Sequence, residues 1–208
     1  MAFLRPTALN MGRSFHIVPI AATEDAMAKF TESISEAHAA FIDAQPLFFV
    51  ATAPPGGRIN ISPKGLDGTF TILGPNRVAF LNLTGSGNET AAHLRQDPRI
   101  TLMFCAFAGD PKILRLYGTA RAVHPRDAEW PALAALFPDL PGKRQVIVVE
   151  VESVNSSCGF AVPLMDFKQH RPMLPAWAER KGADGIERYW RDRNATSFDG
   201  LPTGILED

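Results

Sequence analysis

Short apolar runs separated by turn-forming residues fill the middle of this chain, and helical spacing is confined to its flanks and to two short connections. From about Glu24 to Asp43, the apolar residues Met27, Phe30, Ile34, Ala37 and Phe41 recur every three or four positions, which predicts a helix packed against a sheet. LFFVATA then predicts a strand, PPGG a hairpin turn, and RINIS, with its strict alternation, a half-buried strand. TFTIL and RVAFLNL follow, divided by Gly74-Pro75-Asn76. A short helix from Glu89 to Arg95 is stopped by Asp97-Pro98. The strands RITLMFCAF and ILRLYGTARAV flank the short turn AGDP, so they form an antiparallel hairpin. Pro125 to Phe137 predicts a second short helix, VIVVEVESV a strand, and SSCGFAVPLMDF one more. The tail from Leu174 to Arg193 reads as one or two amphipathic helices, with Trp177, Ile186, Tyr189 and Trp190 on apolar faces.

At least six strands joined mostly by hairpin-length turns define a mainly β fold, an antiparallel barrel with peripheral helices. The Pro and Gly clusters at 54–57, 74–76 and 109–111 are turn-sized, so nothing divides the chain. Residues 1–208 are expected to form one domain, with a helical N-terminal extension to about 44, a barrel over about 45–167 and a helical tail from about 168.

The chemistry concentrates where VAFLNL enters the glycine-rich turn GSGNET and leaves as a helix. Ser86 stands three residues before Glu89, the spacing of a capping box, and Thr84, Ser86, Asn88 and Thr90 cluster at the first turn. One reading is an anion cradle of backbone N–H groups at the positive end of a helix, for which a phosphate is the natural ligand. The other is a tight strand-to-helix connection with an ordinary cap. A dinucleotide fingerprint fits poorly, because Thr90 stands where a third glycine belongs and the next strands form a hairpin rather than a crossover.

Charge narrows the partners. A net charge of −1 without a lysine or arginine run excludes a chain devoted to gripping nucleic acid or an anionic membrane, and no apolar run approaches a membrane span. The N-terminal residues lack the continuous apolar core of a secretion signal, so a cytoplasmic location is expected. Cys105 and Cys158 suit a reduced compartment, and the histidines at 16, 38, 93, 124 and 170 show no paired ligand spacing, so no metal is expected. Cys105, within an apolar strand, reads as core.

In their order and spacing, ISPKGLDG, then VAFLNLTGSGNETAAHLRQDPRITLMF, then ILRLYGTARAV resemble the pyridoxamine 5'-phosphate oxidase superfamily, the FMN-binding split barrels. The resemblance covers about Gln45 to Val123. It continues through SSCGFAVPLMDF and SFDGLPTG, which look like a less characterised branch. It implies a six-stranded split barrel, FMN as cofactor, and a homodimer with flavin sites between subunits. Lys64, Gly65 and Asp67 match a lysine-glycine and aspartate that meet the flavin in the oxidases. Asn60, Ile61 and Ser62 match the strand lining it, with Asn60, Ser62 and Lys64 on one face by alternation. Leu81 and Asn82 match the strand end that lies against the flavin ring.

The oxidases carry an arginine-lysine pair at the head of the following helix, where this chain has Glu89 and Thr90. Phosphate binding would then rest on backbone N–H groups, on Ser86, Asn88 and Thr90, and on a cation from elsewhere, with Glu89 turned back to cap its own helix. Lys112 and Arg115 are the candidate cations, since their strand contributes across the dimer in the family. The tail shows no arginine-rich site for a substrate phosphate, so pyridoxamine phosphate is not the expected substrate. Trp177, Trp190 and Phe198 are candidates for the open side of the pocket, and Cys158 for the flavin face, though packing is the commoner role of a thiol so placed and core or dimer contact that of such aromatics. The resemblance thus implies an FMN-dependent oxidoreductase acting on a small molecule. The alternatives are a non-catalytic flavin or small-ligand binder, or a split barrel using F420 or haem.

Overall fold

A computed structural model of the chain describes residues 29–207. Eight strands pair antiparallel throughout: β1 (Lys29–Thr31), β2 (Leu47–Thr52), β3 (Asn60–Gly65), β4 (Phe70–Gly74), β5 (Arg77–Leu83), β6 (Arg99–Cys105), β7 (Ile113–Val123) and β8 (Lys143–Ser157). Four helices accompany them: α1 (Glu36–Asp43), α2 (Glu89–Leu94), α3 (Trp130–Ala134) and α4 (Met173–Tyr189), the last running into a π-helical turn, Trp190–Asn194. The sheet order is β3-β2-β6-β7-β8-β5-β4, with β1 on the edge of β8 beyond the end of β5.

The sheet curls into a half-barrel. In that order β2 and β4 are five strand positions apart, about 24 Å if the sheet were flat. Yet the Phe48 ring of β2 lies 5.1 Å from the Phe70 ring of β4. Phe80 and Phe104 close the same aromatic cluster, at 5.5 and 5.4 Å from Phe48. Aromatic side chains at these spacings bury large apolar areas and favour edge-to-face contacts, which is what draws the ends of the sheet together.

Parity explains the densest apolar segments. Along β5, Val78 and Phe80 enter the inner core while Ala79 and Leu81 pack outward, and along β8 Ile147 and Val149 go inward while Val146 and Val148 go outward. The outward layer is covered by Trp130 and Leu133 of α3 together with Phe137 and Leu140. Two buried faces require an unbroken apolar run, as RVAFLNL and VIVV supply.

Two expectations need correction. The helix predicted from about Glu24 starts only at Glu36, and its residues before 29, Met27 included, lie outside the described residues. Ser35 caps it: its hydroxyl accepts from the His38 N–H while His38 Nδ1 accepts from the Ser35 N–H. Ahead of that stop, Lys29–Thr31 take the stretch of β8 edge that β5 leaves open. SSCGFAVPLMDF makes no strand beyond Ser157, where β8 ends. Gly159 there adopts φ +63°, and a β-carbon on it would fall 2.8 Å from the Lys112 backbone nitrogen, so only glycine fits where the chain leaves the sheet. The mainly β fold stands as expected: among the described residues eight strands, β1 included, pair in one curled antiparallel sheet where at least six were read from the sequence. No helix among the described residues is long and apolar enough to cross a membrane.

Candidate functional site

The two ends of the curled sheet meet at a seam. β3 and β5 lie five positions apart in the sheet order, yet Lys64 Nζ donates to Asn82 Oδ1 at 2.8 Å across the gap. Beside this bond opens a cleft of about 960 Å³. Its floor is the seam, one wall is the loop from Gly85 to Thr90, and the other is the irregular segment from Met165 to Arg171.

Nine of the twelve residues predicted for cofactor binding line this cleft: Asn60, Ser62, Lys64, Leu81, Asn82, Ser86, Asn88, Glu89 and Thr90. Alternation along β3 places Asn60, Ser62 and Lys64 there, with Asn60 and Ser62 hydrogen-bonded to each other at 3.0 Å, and leaves Ile61 on the outer side, 64% exposed. Lys112 and Arg115 sit elsewhere on the same chain. Lys112 lies over the Phe41 ring at 4.7 Å and Arg115 donates to Ser157 Oγ at 3.3 Å. Trp177, Trp190, Phe198 and Cys158 do not line the cleft. Trp177 packs edge-on against Tyr189, and Phe198 lies exposed beneath Arg58.

The cation of the site is one the sequence reading missed. Arg144, 2% exposed, reaches the cleft from the start of β8. Asn82 pairs with Gln145 and Leu83 with Lys143, so Arg144 is the extra residue of a bulge, and the bulge aims it into the site. Its Nη1 donates to the Gly87 carbonyl at 2.9 Å and to Asn194 Oδ1 at 2.8 Å, and its Nε donates to Gln145 Oε1 at 3.1 Å. Among the described residues no carboxylate pairs with Arg144 and no acceptor meets Nη2. The sequence signal was the polar triplet Lys143-Arg144-Gln145 ahead of VIVV; it marks polar residues entering a strand but does not reveal their burial.

A buried polar network ties these groups together. Asn82 Nδ2 donates to Gln145 Oε1 at 3.0 Å, and Gln145 Nε2 donates to Asn88 Oδ1 at 3.1 Å. Burial costs both cations. Desolvation, with Arg144 nearby as a second cause, pulls the Lys64 ammonium down to about 8, and desolvation brings the Arg144 guanidinium to about 9. Two desolvated positive groups in one cleft favour an anionic ligand that would restore their charge.

The loop wall also departs from expectation. α2 begins at Glu89 with Asn88 as its cap residue, and no side chain completes the capping box expected of Ser86 and Glu89. The Glu89 carboxylate instead accepts from the Phe198 N–H, at 3.1 Å to each oxygen. The tail packs over the head of α2, so its backbone donor takes the place that the Glu89 helix would have offered. The Asn88 amide is likewise committed, donating to the Asn194 carbonyl at 3.4 Å. A β-carbon added at Gly85 would meet nothing within 4 Å, so the protein itself does not require glycine there. A ligand pressed against the loop backbone would.

A curled antiparallel sheet whose separated edges meet at a seam, with a cationic cleft there walled by a glycine-rich strand-to-helix loop, defines a split-barrel fold. Comparison with known families gives the finer answer: residues 34–158 match the family model for pyridoxamine 5'-phosphate oxidase. The chain is 40% identical over 190 residues to the pyridoxamine 5'-phosphate oxidase family protein ustO of Aspergillus flavus, across 83% of this chain and 76% of that one. It belongs to the pyridoxamine 5'-phosphate oxidase family. Solved structures resemble it at lower identity. HupZ of Group A Streptococcus is 20% identical, over 58% of this chain and 91% of that one, with a TM-score of 0.48. A pyridoxamine 5'-phosphate oxidase-related, FMN-binding protein of Nostoc punctiforme is 16% identical, over 53% and 74%, with a TM-score of 0.42.

Proposed function

We propose that the cleft binds FMN and that the protein is an FMN-dependent oxidoreductase acting on a small molecule as a homodimer. The observation that carries this reading is Arg144, a buried guanidinium without a carboxylate, set against the Gly85–Thr90 loop at the end of a family-matched strand. The residues fit the group. Arg144, Ser86, Thr90 and the backbone of the loop would hold the phosphate, and Lys64, Asn82, Asn60 and Ser62 would meet the ring edge. A bound flavin supplies hydride transfer at its N5. The chain supplies orientation and electrostatics: Lys64 brings a cation whose charge depends on its surroundings, Asn82 fixes it by a hydrogen bond, and Met165 and Phe167 line the open wall. Turning Glu89 toward Phe198 N–H offsets part of its repulsion for a phosphate.

An absorbance spectrum of the purified protein, before and after adding FMN and dialysing, tests the reading, with the released cofactor identified by mass. Flavin bands and stoichiometric FMN are expected. Retention of no flavin, or of haem or F420 in its place, would overturn the cofactor assignment. Bound FMN that neither nicotinamide cofactor nor any small-molecule donor reduces would remove the catalytic part and leave a flavin-binding protein.

A further inference from the structure

The loop that would receive the phosphate is held as much by the C-terminal tail as by the barrel. Asn194, the last residue of the π-helical turn, is fully buried. Its Oδ1 accepts from Arg144 Nη1, and its Nδ2 donates to the Gly85 carbonyl at 3.1 Å. Its own carbonyl accepts from Asn88 Nδ2 and, at 2.6 Å, from Thr203 Oγ1. On either side, Trp190 Nε1 donates to Thr84 Oγ1 at 2.8 Å and the Phe198 N–H reaches Glu89. Residues 190–203 thus touch the loop at its start, its middle, its end and the first residue of α2. None of them falls within the stretch that the family model matches.

We infer that Asn194 is a positioning residue for the phosphate of the ligand: one amide side chain fixes the Arg144 guanidinium and the Gly85 backbone relative to each other, so that the tail sets affinity for the phosphorylated form of the cofactor. This rests on the FMN reading above. With Nε and Nη1 held by Gln145, Gly87 and Asn194, the guanidinium keeps a single orientation and presents Nη2 to the site. Gly85 and Gly87, each anchored by its carbonyl, are ordered before binding. A cation and a loop already in place lose less freedom when an anion arrives. A π-helical turn is an uncommon departure from regular helix, found often at functional positions, and here it delivers Asn194 to the loop.

FMN and riboflavin differ only in the phosphate ester, so their dissociation constants, measured by flavin fluorescence for wild type, Asn194→Ala and Trp190→Phe, test the inference. Wild type is expected to prefer FMN. Asn194→Ala should weaken FMN by about tenfold or more, the worth of one hydrogen bond to a charged group. Riboflavin affinity should stay within about threefold, because the ring site lies on β3 and β5. Trp190→Phe keeps the ring and loses one donor to Thr84, so it should show the same selective loss at smaller size, about threefold. Equal losses for both ligands, or unchanged FMN affinity in both variants, would overturn the inference. A wild type with no preference for FMN over riboflavin would overturn the phosphate reading beneath it, and that result is seen before any variant is made.

Discussion

Lys64 and Arg144 share one cleft, and burial works against the charge of each. For Lys64 this gives a titration that can be followed. Its folded-state pKa of about 8 lies below the ordinary 10.5, so between those values the unfolded chain binds more protons and stability rises with pH. An anion in the cleft needs the opposite, the protonated form. FMN affinity is therefore expected to fall as pH rises through about 8. Titrations of FMN between pH 7 and 9.5 should show that slope in wild type and a flatter profile in Lys64→Met; parallel profiles would return Lys64 to a spectator. Arg144→Met should weaken FMN by about tenfold or more, since a charge-assisted phosphate contact disappears. The two cations were unequally legible. Lys64 and Asn82 were legible through the family resemblance that ISPKG and VAFLNL carry in their order and spacing; by local pattern alone Lys64 reads as an exposed surface lysine. Arg144 enters the site through a one-residue bulge between β5 and β8, a long-range register that no local alternation encodes. Asn194 is hidden for the same reason: its partners are Gly85, Asn88 and Arg144, far away in sequence.

At the level of elements, short alternating runs were read well because a strand with one buried face announces itself, as LFFVAT does with Phe48 and Val50 inward. β1 was misread because three exposed residues carry no pattern of their own and exist as a strand only through the free edge of β8. The longest pairing, β7 with β8, carries a register shift between Tyr117 and Gly118. A β-carbon on Gly118 would fall 1.9 Å from the Glu150 carbonyl oxygen, and backbone cannot move aside as a side chain can. Gly118→Ala should cost at least about 2 kcal/mol in urea unfolding, as overpacking of a rigid site does. Gly85→Ala is its counterpart. The added methyl meets open space, so stability should stay within about 0.5 kcal/mol. FMN affinity should nevertheless fall, because that space is where the ligand approaches the loop. Stability lost at Gly85, or kept at Gly118, would show that the close approaches differ from those described.

Taken whole, the molecule places its cleft at the seam where β3 and β5, the separated parts of one curled sheet, come back together, so binding in the cleft would be coupled to barrel closure. A ligand spanning the seam is bound only when the sheet is curled, and its binding free energy adds to folding. Saturating FMN should accordingly raise the melting temperature, by several degrees at a hundredfold excess over Kd, where linkage supplies about 2.7 kcal/mol. The same seam bears on assembly. Its outer wall is the irregular segment after β8, with Met165 and Phe167 lining the cleft yet more than half exposed on a single chain. Side chains of that size would shield a flavin from water only if something covers them, and in the proposed homodimer a second copy of the chain would do so. Light scattering coupled to size exclusion should therefore give twice the chain mass at micromolar concentration, and dilution to monomer should release FMN along with the partner. A monomer that keeps FMN at full stoichiometry would mean that one chain closes the site alone, with Met165 and Phe167 shielding the ring from solvent without help.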